Sequence, residues 1–100
     1  MPTFKDMDIA EYLQTDEAIL GFLGEAFSSR DPKHIAKAIG IAARAKTSMG
    51  RVAKETGLNR ETLYKTFGDQ SSGNPTLKTL ISVLGSLNLD LTVTPRHAVA

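Results

Sequence analysis

The stretch that most constrains the fold of this chain is residues 49–68. Gly57 tolerates the positive φ that a tight turn between two helices requires. Ala53, four residues earlier, supplies the small side chain that two helices need where they touch at a steep angle. The apolar anchors for the second helix are Val52, Leu58 and Leu63. This spacing predicts two short helices joined by a turn of about three or four residues.

The exposed positions of the second helix are polar, and this admits two interpretations. They are Arg60, Glu61, Thr62, Tyr64 and Lys65. In an ordinary pair of packed helices, such a face only meets water. In a protein that binds DNA, the same face enters the major groove, with its N-terminal residues nearest the base edges.

The charges of the chain are unevenly distributed, although its net charge is only +1. Residues 1–31 carry two basic and seven acidic side chains, whereas residues 32–100 carry ten basic and four acidic ones. Six of the basic side chains lie between Arg44 and Lys65. A charge run of this kind is either a solvated face or a surface that meets a polyanion, and an asymmetry along the chain indicates two different partners.

The rest of the chain has mainly helical periodicity. The predicted segments are a helical turn over residues 8–14 and helices over residues 16–28, 32–46 and 77–87. Thr15, Asp31 and Thr76 precede these helices as N-caps. Small side chains along residues 32–46 favour close packing against a neighbouring helix. After Asn88, apolar and polar residues alternate, which predicts one β-strand over residues 89–94.

Several functional classes are disfavoured by the composition. A chain of 100 residues accommodates one domain, and the absence of cysteine excludes disulfides and thiolate metal sites. The N-terminus has no apolar stretch typical of a signal peptide, so we expect a cytoplasmic protein without membrane attachment. His34 and His97 have no second ligand at helical spacing. No nucleophile motif or phosphate-binding Gly-Lys loop is present, so we expect no enzyme, no cofactor and no metal site.

Residues 52–65 together with 73–76 resemble the Xre/Cro type of helix-turn-helix. The closer resemblance is to the HigA-like group of probable addiction-module antidote proteins, and it extends to residues 6–13, Asp31-Pro32 and residues 89–93. The resemblance implies an all-α domain over residues 1–100, with five or six helices and one short C-terminal strand. Within it, residues 1–31 form an acidic helical extension, and residues 49–68 form the helix-turn-helix.

The function that the resemblance implies is that of an antitoxin. Such proteins neutralise a RelE/ParE-like toxin encoded beside them and, as homodimers, bind double-stranded operator DNA to repress their own operon. The alternatives are a stand-alone Xre-type transcriptional regulator and a toxin-neutralising interaction module without significant DNA binding.

The resemblance also implies DNA-binding residues. The base-reading positions are Arg51, Arg60, Thr62 and Lys65, with Asn59 as a helix cap and further contact. The phosphate-binding positions are Ser48, Tyr64, Asn74 and Thr76. Gly50 replaces a serine that often caps the first helix of the motif, so the cap is weaker or moves to Ser48. Arg51 replaces a base-reading glutamine, so Arg51 contacts either a base or a phosphate.

The predicted strand needs a second strand to pair with, and the acidic first third of the chain is suited to a basic partner. A single strand is not stable alone. Its candidate partners are Thr3-Phe4-Lys5, the same strand of a second copy, which is slightly favoured, and a strand edge of the toxin. A toxin that binds RNA has a basic surface, which Asp16, Glu17 and Glu25 would complement. The simpler interpretation is that these carboxylates form a solvated helix face.

Overall fold

The computed structural model describes residues 9, 11–69 and 73–96, and these contain five α-helices and no strand. The helices are α1 (Asp16–Ser28), α2 (Pro32–Lys46), α3 (Met49–Thr56), α4 (Arg60–Phe67) and α5 (Leu77–Ser86). The prediction of an all-α fold is therefore confirmed. Of the predicted turn over residues 8–14, Ile9, Glu11 and Tyr12 are helical, whereas residues 8 and 10 lie outside the described part.

Each helix begins at a polar side chain that accepts a backbone N–H of its first turn. The caps are Thr15, Asp31, Ser48, Asn59 and Thr76, which accept from the N–H groups of Ala18, Lys33, Arg51, Glu61 and Thr79, respectively. Four of these caps are predicted from the sequence. The fifth shows that the cap of α3 is Ser48, as expected when glycine occupies position 50.

The core lies around α2, which packs against α1, α3 and α4. Gly40 in the middle of α2 is buried, and a Cβ atom there would overlap the carbonyl oxygen of Phe67 at the end of α4. The largest side chains that are fully enclosed include Ile39, Leu63 and Phe67. The small residues of α2 thus allow the close helix packing that the sequence predicts, and they fix the position of α4.

The turn between α3 and α4 has the predicted form. Gly57 has a φ of 77°, and its N–H donates to the carbonyl of Ala53 at 2.9 Å. Val52 and Leu63, one from each helix, are completely buried. Because Leu63 and Phe67 anchor α4 in the core, the other side chains of its first turns are held at the surface, namely Arg60, Glu61, Thr62, Tyr64 and Lys65.

The prediction of a C-terminal strand over residues 89–94 is wrong. Asn88 ends the preceding helical region with a φ of 66°, and residues 89–96 have no regular secondary structure. Leu89 is half-buried, but Leu91 and Val93 are exposed, so the alternation does not place one side of the segment in the core. The proposed partner Thr3-Phe4-Lys5 lies outside the described residues. Alternation can predict an extended chain, but it does not provide the neighbouring strand that a ladder requires.

No helix within the described ranges is both long and apolar enough to cross a lipid bilayer.

Candidate nucleic-acid interface

A groove of about 880 Å³ lies where the C-terminal end of α2 meets α3 and the first turns of α4. Its lining comprises Arg44, Thr47, Ser48, Met49, Gly50, Arg51, Lys54, Glu55, Arg60 and Tyr64. The groove therefore collects residues from three helices and from the turn that precedes α3. Gly40 of α2 packs directly against the backbone of Phe67 at the end of α4. The core therefore fixes how these two walls of the groove lie relative to each other.

The groove contains four cationic side chains and one carboxylate, so its electrostatic character is positive. Arg51 and Glu55, four residues apart on α3, form an exposed ion pair with 3.2 Å between Nε and Oε2. An exposed pair of this kind contributes less than about 1 kcal/mol to stability. The weak pair is readily exchanged for a phosphate oxygen or a base edge, because either can accept the same guanidinium N–H groups.

Arg60, the first residue of α4, lies across the groove. Its guanidinium carbon is 5.8 Å from the centre of the Tyr64 ring, within the range of a cation–π contact. A Cβ atom at Gly50 would lie 3.9 Å from the same guanidinium, so Arg60 approaches the backbone of α3. The aromatic ring and the neighbouring helix together limit the conformations that this arginine samples. A side chain that is held in this way loses less entropy when it binds.

The groove unites four of the nine predicted DNA-binding residues, namely Ser48, Arg51, Arg60 and Tyr64. Thr62 and Lys65 are exposed on α4 outside the groove. Asn59 caps α4, and its side-chain oxygen accepts the N–H groups of Glu61 and Thr62 at 2.7 and 3.3 Å.

The other two predicted residues, Asn74 and Thr76, lie at the start of α5 and do not line the groove. The Thr76 hydroxyl oxygen caps α5 and lies 3.0 Å from the hydroxyl oxygen of Thr79. A phosphate at this position would meet the first backbone N–H groups of α5 rather than the basic groove.

Two groups of residues in this region are absent from the predicted set. Arg44 and Lys54 line the groove, and the cluster of basic residues over 44–65 was the signal for them. Glu61 is exposed in the first turn of α4, where it follows the cap Asn59 and the cationic Arg60 in sequence. Its carboxylate can accept a hydrogen bond from the amino group of cytosine.

Lys46 belongs to the basic cluster over residues 44–65 but does not line the groove. Its ammonium donates to the carbonyl of Leu87 at 2.8 Å and lies 3.3 Å from a carboxylate oxygen of Asp16. Its side chain is only 29% exposed. Lys46 therefore joins the start of α1 to the end of α5, and its charge is compensated within the chain.

Other kinds of site have no counterpart in the described residues. No three His, Asp or Glu side chains there are grouped as metal ligands. His34 is exposed at the start of α2, and His97 lies outside the described part. The arrangement of cations around an exposed, firmly anchored helix is suited to binding a polyanion.

The chain is similar to known proteins over nearly its whole length. It matches the family described as "probable addiction module antidote protein" over residues 3–95. An uncharacterised protein of Haemophilus influenzae is 38% identical over 89 residues, which are 89% of each chain. No solved structure matches the chain. Because the match covers nearly the whole sequence, the chain belongs to the family of probable addiction module antidote proteins.

Proposed function

We propose that this protein is the antitoxin of a type II toxin–antitoxin module. In this proposal it neutralises a RelE/ParE-like toxin and, as a homodimer in the cytoplasm, represses its own operon by binding operator DNA. The main support for DNA binding in this proposal is the basic groove beside α4, found in a member of an antidote family. An antidote implies a toxin as its partner, and the groove supplies a reason for a second, polyanionic partner.

The arrangement of α3 and α4 supports helix-turn-helix binding of the Xre/Cro type. In this mode α4 enters the major groove, where Arg60 and Lys65 donate to base edges. Arg44, Arg51 and Lys54 then face the sugar–phosphate backbone along the side of α4 that adjoins α3. Ser48, Tyr64, Asn74 and Thr76 add hydrogen bonds to phosphates, and Thr62 and Asn59 contact DNA from the first turns of α4 and its cap.

An apolar face of α5 supports the homodimer. Leu77 and Ile81, four residues apart on one side of α5, are 67% and 52% exposed. Burying them against the same residues of a second copy removes an apolar patch from water. A two-fold dimer presents two copies of α4 about one turn of DNA apart, roughly 34 Å, and therefore reads an inverted repeat.

The test is co-expression of the chain with the protein encoded by the adjacent gene, followed by co-purification and a gel shift on the promoter of the operon. We expect a stable complex of the two proteins, growth that is rescued by the chain, and a specific shift. A shift without a protein complex would indicate a stand-alone regulator. A complex without a shift would indicate an interaction module that does not bind the operator. Either result would contradict the proposal.

A further inference from the structure

A second groove, of about 360 Å³, lies on α1 and shares no residue with the basic groove. One wall is α1, through Leu20, Gly24 and Phe27, and the other is the C-terminal segment, through Leu89, Asp90, Leu91, Thr92 and Thr94. Leu84 closes its floor. Leu20 is 55% exposed and Leu91 is 41% exposed. The described residues therefore leave a mainly apolar depression open beside the segment 89–94.

Among the described residues, the segment that follows Leu89 has backbone groups without a backbone partner. The N–H of Leu89 donates to the carbonyl of Leu84 at 2.9 Å. Beyond Leu89, residues 90–96 have no backbone hydrogen bond to any other described residue. An extended segment with free N–H and C=O groups is a template on which another strand can pair. Threonines at 92 and 94 and the exposed Val93 are residues that favour such pairing.

The charges around this groove are acidic. Asp90 lines it, and α1 carries Asp16, Glu17 and Glu25 but no lysine or arginine. Asp16 is compensated by Lys46, which leaves the other carboxylates to set the charge of this side. A basic partner complements such a surface, whereas a second copy would bring two acidic α1 helices together and meet repulsion.

Two glycines in α1 are not required by packing against any other described residue. Gly21 and Gly24 are exposed, and a Cβ atom at either would meet nothing within 4 Å. A glycine inside a helix is less favourable than alanine by about 0.5–1 kcal/mol. The absence of a side chain at these positions allows a partner to approach the backbone of α1 closely.

We infer that this groove is where the toxin docks, through a basic surface whose exposed strand edge pairs with residues 89–94. The inference rests on the proposed antitoxin function and assigns the toxin a surface separate from the DNA-binding groove. An apolar side chain of the toxin fills the depression over Leu20 and Gly24, and basic side chains at its rim face Glu17 and Asp90. The toxin and the operator can then be bound at the same time.

The experiment measures the affinity of purified variants for the protein encoded by the adjacent gene, together with the Tm of each free variant. Gly24→Ala is expected to raise the Tm because it improves the helix, yet to weaken toxin binding by at least about tenfold because it blocks close approach. Gly85→Ala is the matched control: Gly85 is also an exposed helical glycine with open space around it, but it lies in α5. It should raise the Tm and leave toxin binding unchanged.

Leu20→Arg and a pair of proline variants test the remaining parts. Leu20→Arg should abolish the complex while leaving the gel shift of the free protein unchanged. Successive N–H groups of a strand point to opposite sides, so only one of Thr92→Pro and Val93→Pro should weaken the complex. Equal effects, or none, would argue against strand pairing.

The outcomes separate this inference from the proposed function. If the wild-type chain does not bind the adjacent gene product, the antitoxin function itself fails. If the wild type binds and both Gly24→Ala and Leu20→Arg bind equally well, the function stands and the docking site is wrong. Loss of self-association in Leu20→Arg without toxin would assign the groove to a second copy, and a marked fall in its Tm would assign it to a segment of the same chain. Both results would overturn the inference.

Discussion

Arg60 is the residue of the candidate DNA site whose side chain is most clearly held in place by its neighbours. It begins α4, it contacts the Tyr64 ring and it approaches α3 at Gly50. An arginine at the N-terminal end of a helix in the major groove is well placed to donate two hydrogen bonds to guanine.

Arg60→Ala is therefore predicted to lower the affinity for the operator by about 1–3 kcal/mol and to relax specificity at one base pair. The measurement is a fluorescence titration with the operator and with single-base variants of it. Arg30→Ala is the control, since Arg30 carries the same charge in the turn after α1, outside the basic groove. Equal losses for the two variants would mean that Arg60 acts only through its charge.

Removing the charge of Glu61 is predicted to raise the affinity for unrelated DNA and to lower the preference for the operator. Its carboxylate is exposed in the first turn of α4, where it repels phosphates unless it accepts a hydrogen bond from a base. Glu61→Ala should therefore raise the affinity for unrelated DNA several-fold and reduce the ratio of operator to unrelated binding. Competition titrations at a fixed salt concentration measure both quantities. Glu17→Ala on α1 removes the same charge elsewhere, and an identical gain there would contradict a base-reading role for Glu61.

At the residue scale, the sequence predicts what depends on near neighbours. The caps Thr15, Asp31, Asn59 and Thr76 are predicted correctly because a cap bonds to N–H groups two or three residues away. Lys46 could not be assigned, because the carbonyl that it binds lies 41 residues further along the chain. A basic residue in a basic cluster has the same sequence signature whether it faces DNA or a partner within the fold.

At the scale of helices, the contact between α2 and α4 decides where the proposed DNA-binding surface lies. Gly40 meets the backbone of Phe67, so the two helices approach to a distance that no larger residue allows. The position of α4 relative to the groove therefore depends on Gly40, which does not itself line the groove.

Gly40→Ala is predicted to lower the free energy of unfolding by at least about 1–3 kcal/mol, because the added methyl group forces α2 and α4 apart. Urea unfolding monitored by circular dichroism measures the change. Gly85→Ala is again the control and should stabilise the protein by about 0.5–1 kcal/mol, because its Cβ atom enters open space. If Gly40→Ala were equally stabilising, the close contact between α2 and α4 would be ruled out.

The sequence predicts the helices α1 to α5 well, but it does not predict the conformation of the C-terminal segment. A helix satisfies its backbone within its own residues, so periodicity and caps suffice to find it. A strand needs a neighbour, and the alternation of Leu89, Leu91 and Val93 does not say which chain provides one. The groove on α1 was likewise beyond prediction, because its two walls are about 65 residues apart in sequence and meet only in the fold.

At the scale of the whole molecule, the charges are divided between two sides. The acidic side chains belong to α1, which forms one wall of the apolar groove, whereas Arg44, Arg51, Lys54 and Arg60 line the other groove. The net charge of +1 thus conceals two surfaces with opposite preferences. A molecule divided in this way can engage a basic protein and a polyanion without competition between them.

The dimer proposed for operator binding gives a prediction about salt. Each copy neutralises a set of phosphates, and the slope of log affinity against log salt concentration is proportional to their total number. Ile81→Asp places a charge in the exposed apolar face of α5 and should yield a monomer in sedimentation experiments. Its DNA affinity should fall at every salt concentration, and its slope should be roughly half that of the wild type.

Tyr12→Asp is the control for this variant, because it replaces another large exposed side chain, outside α5, by the same charge. It should remain dimeric and keep the wild-type slope. A dimeric Ile81→Asp would show that the two copies meet elsewhere. A monomer with an unchanged slope would mean that one copy of α4 makes all the phosphate contacts, and the operator would then not be read as an inverted repeat.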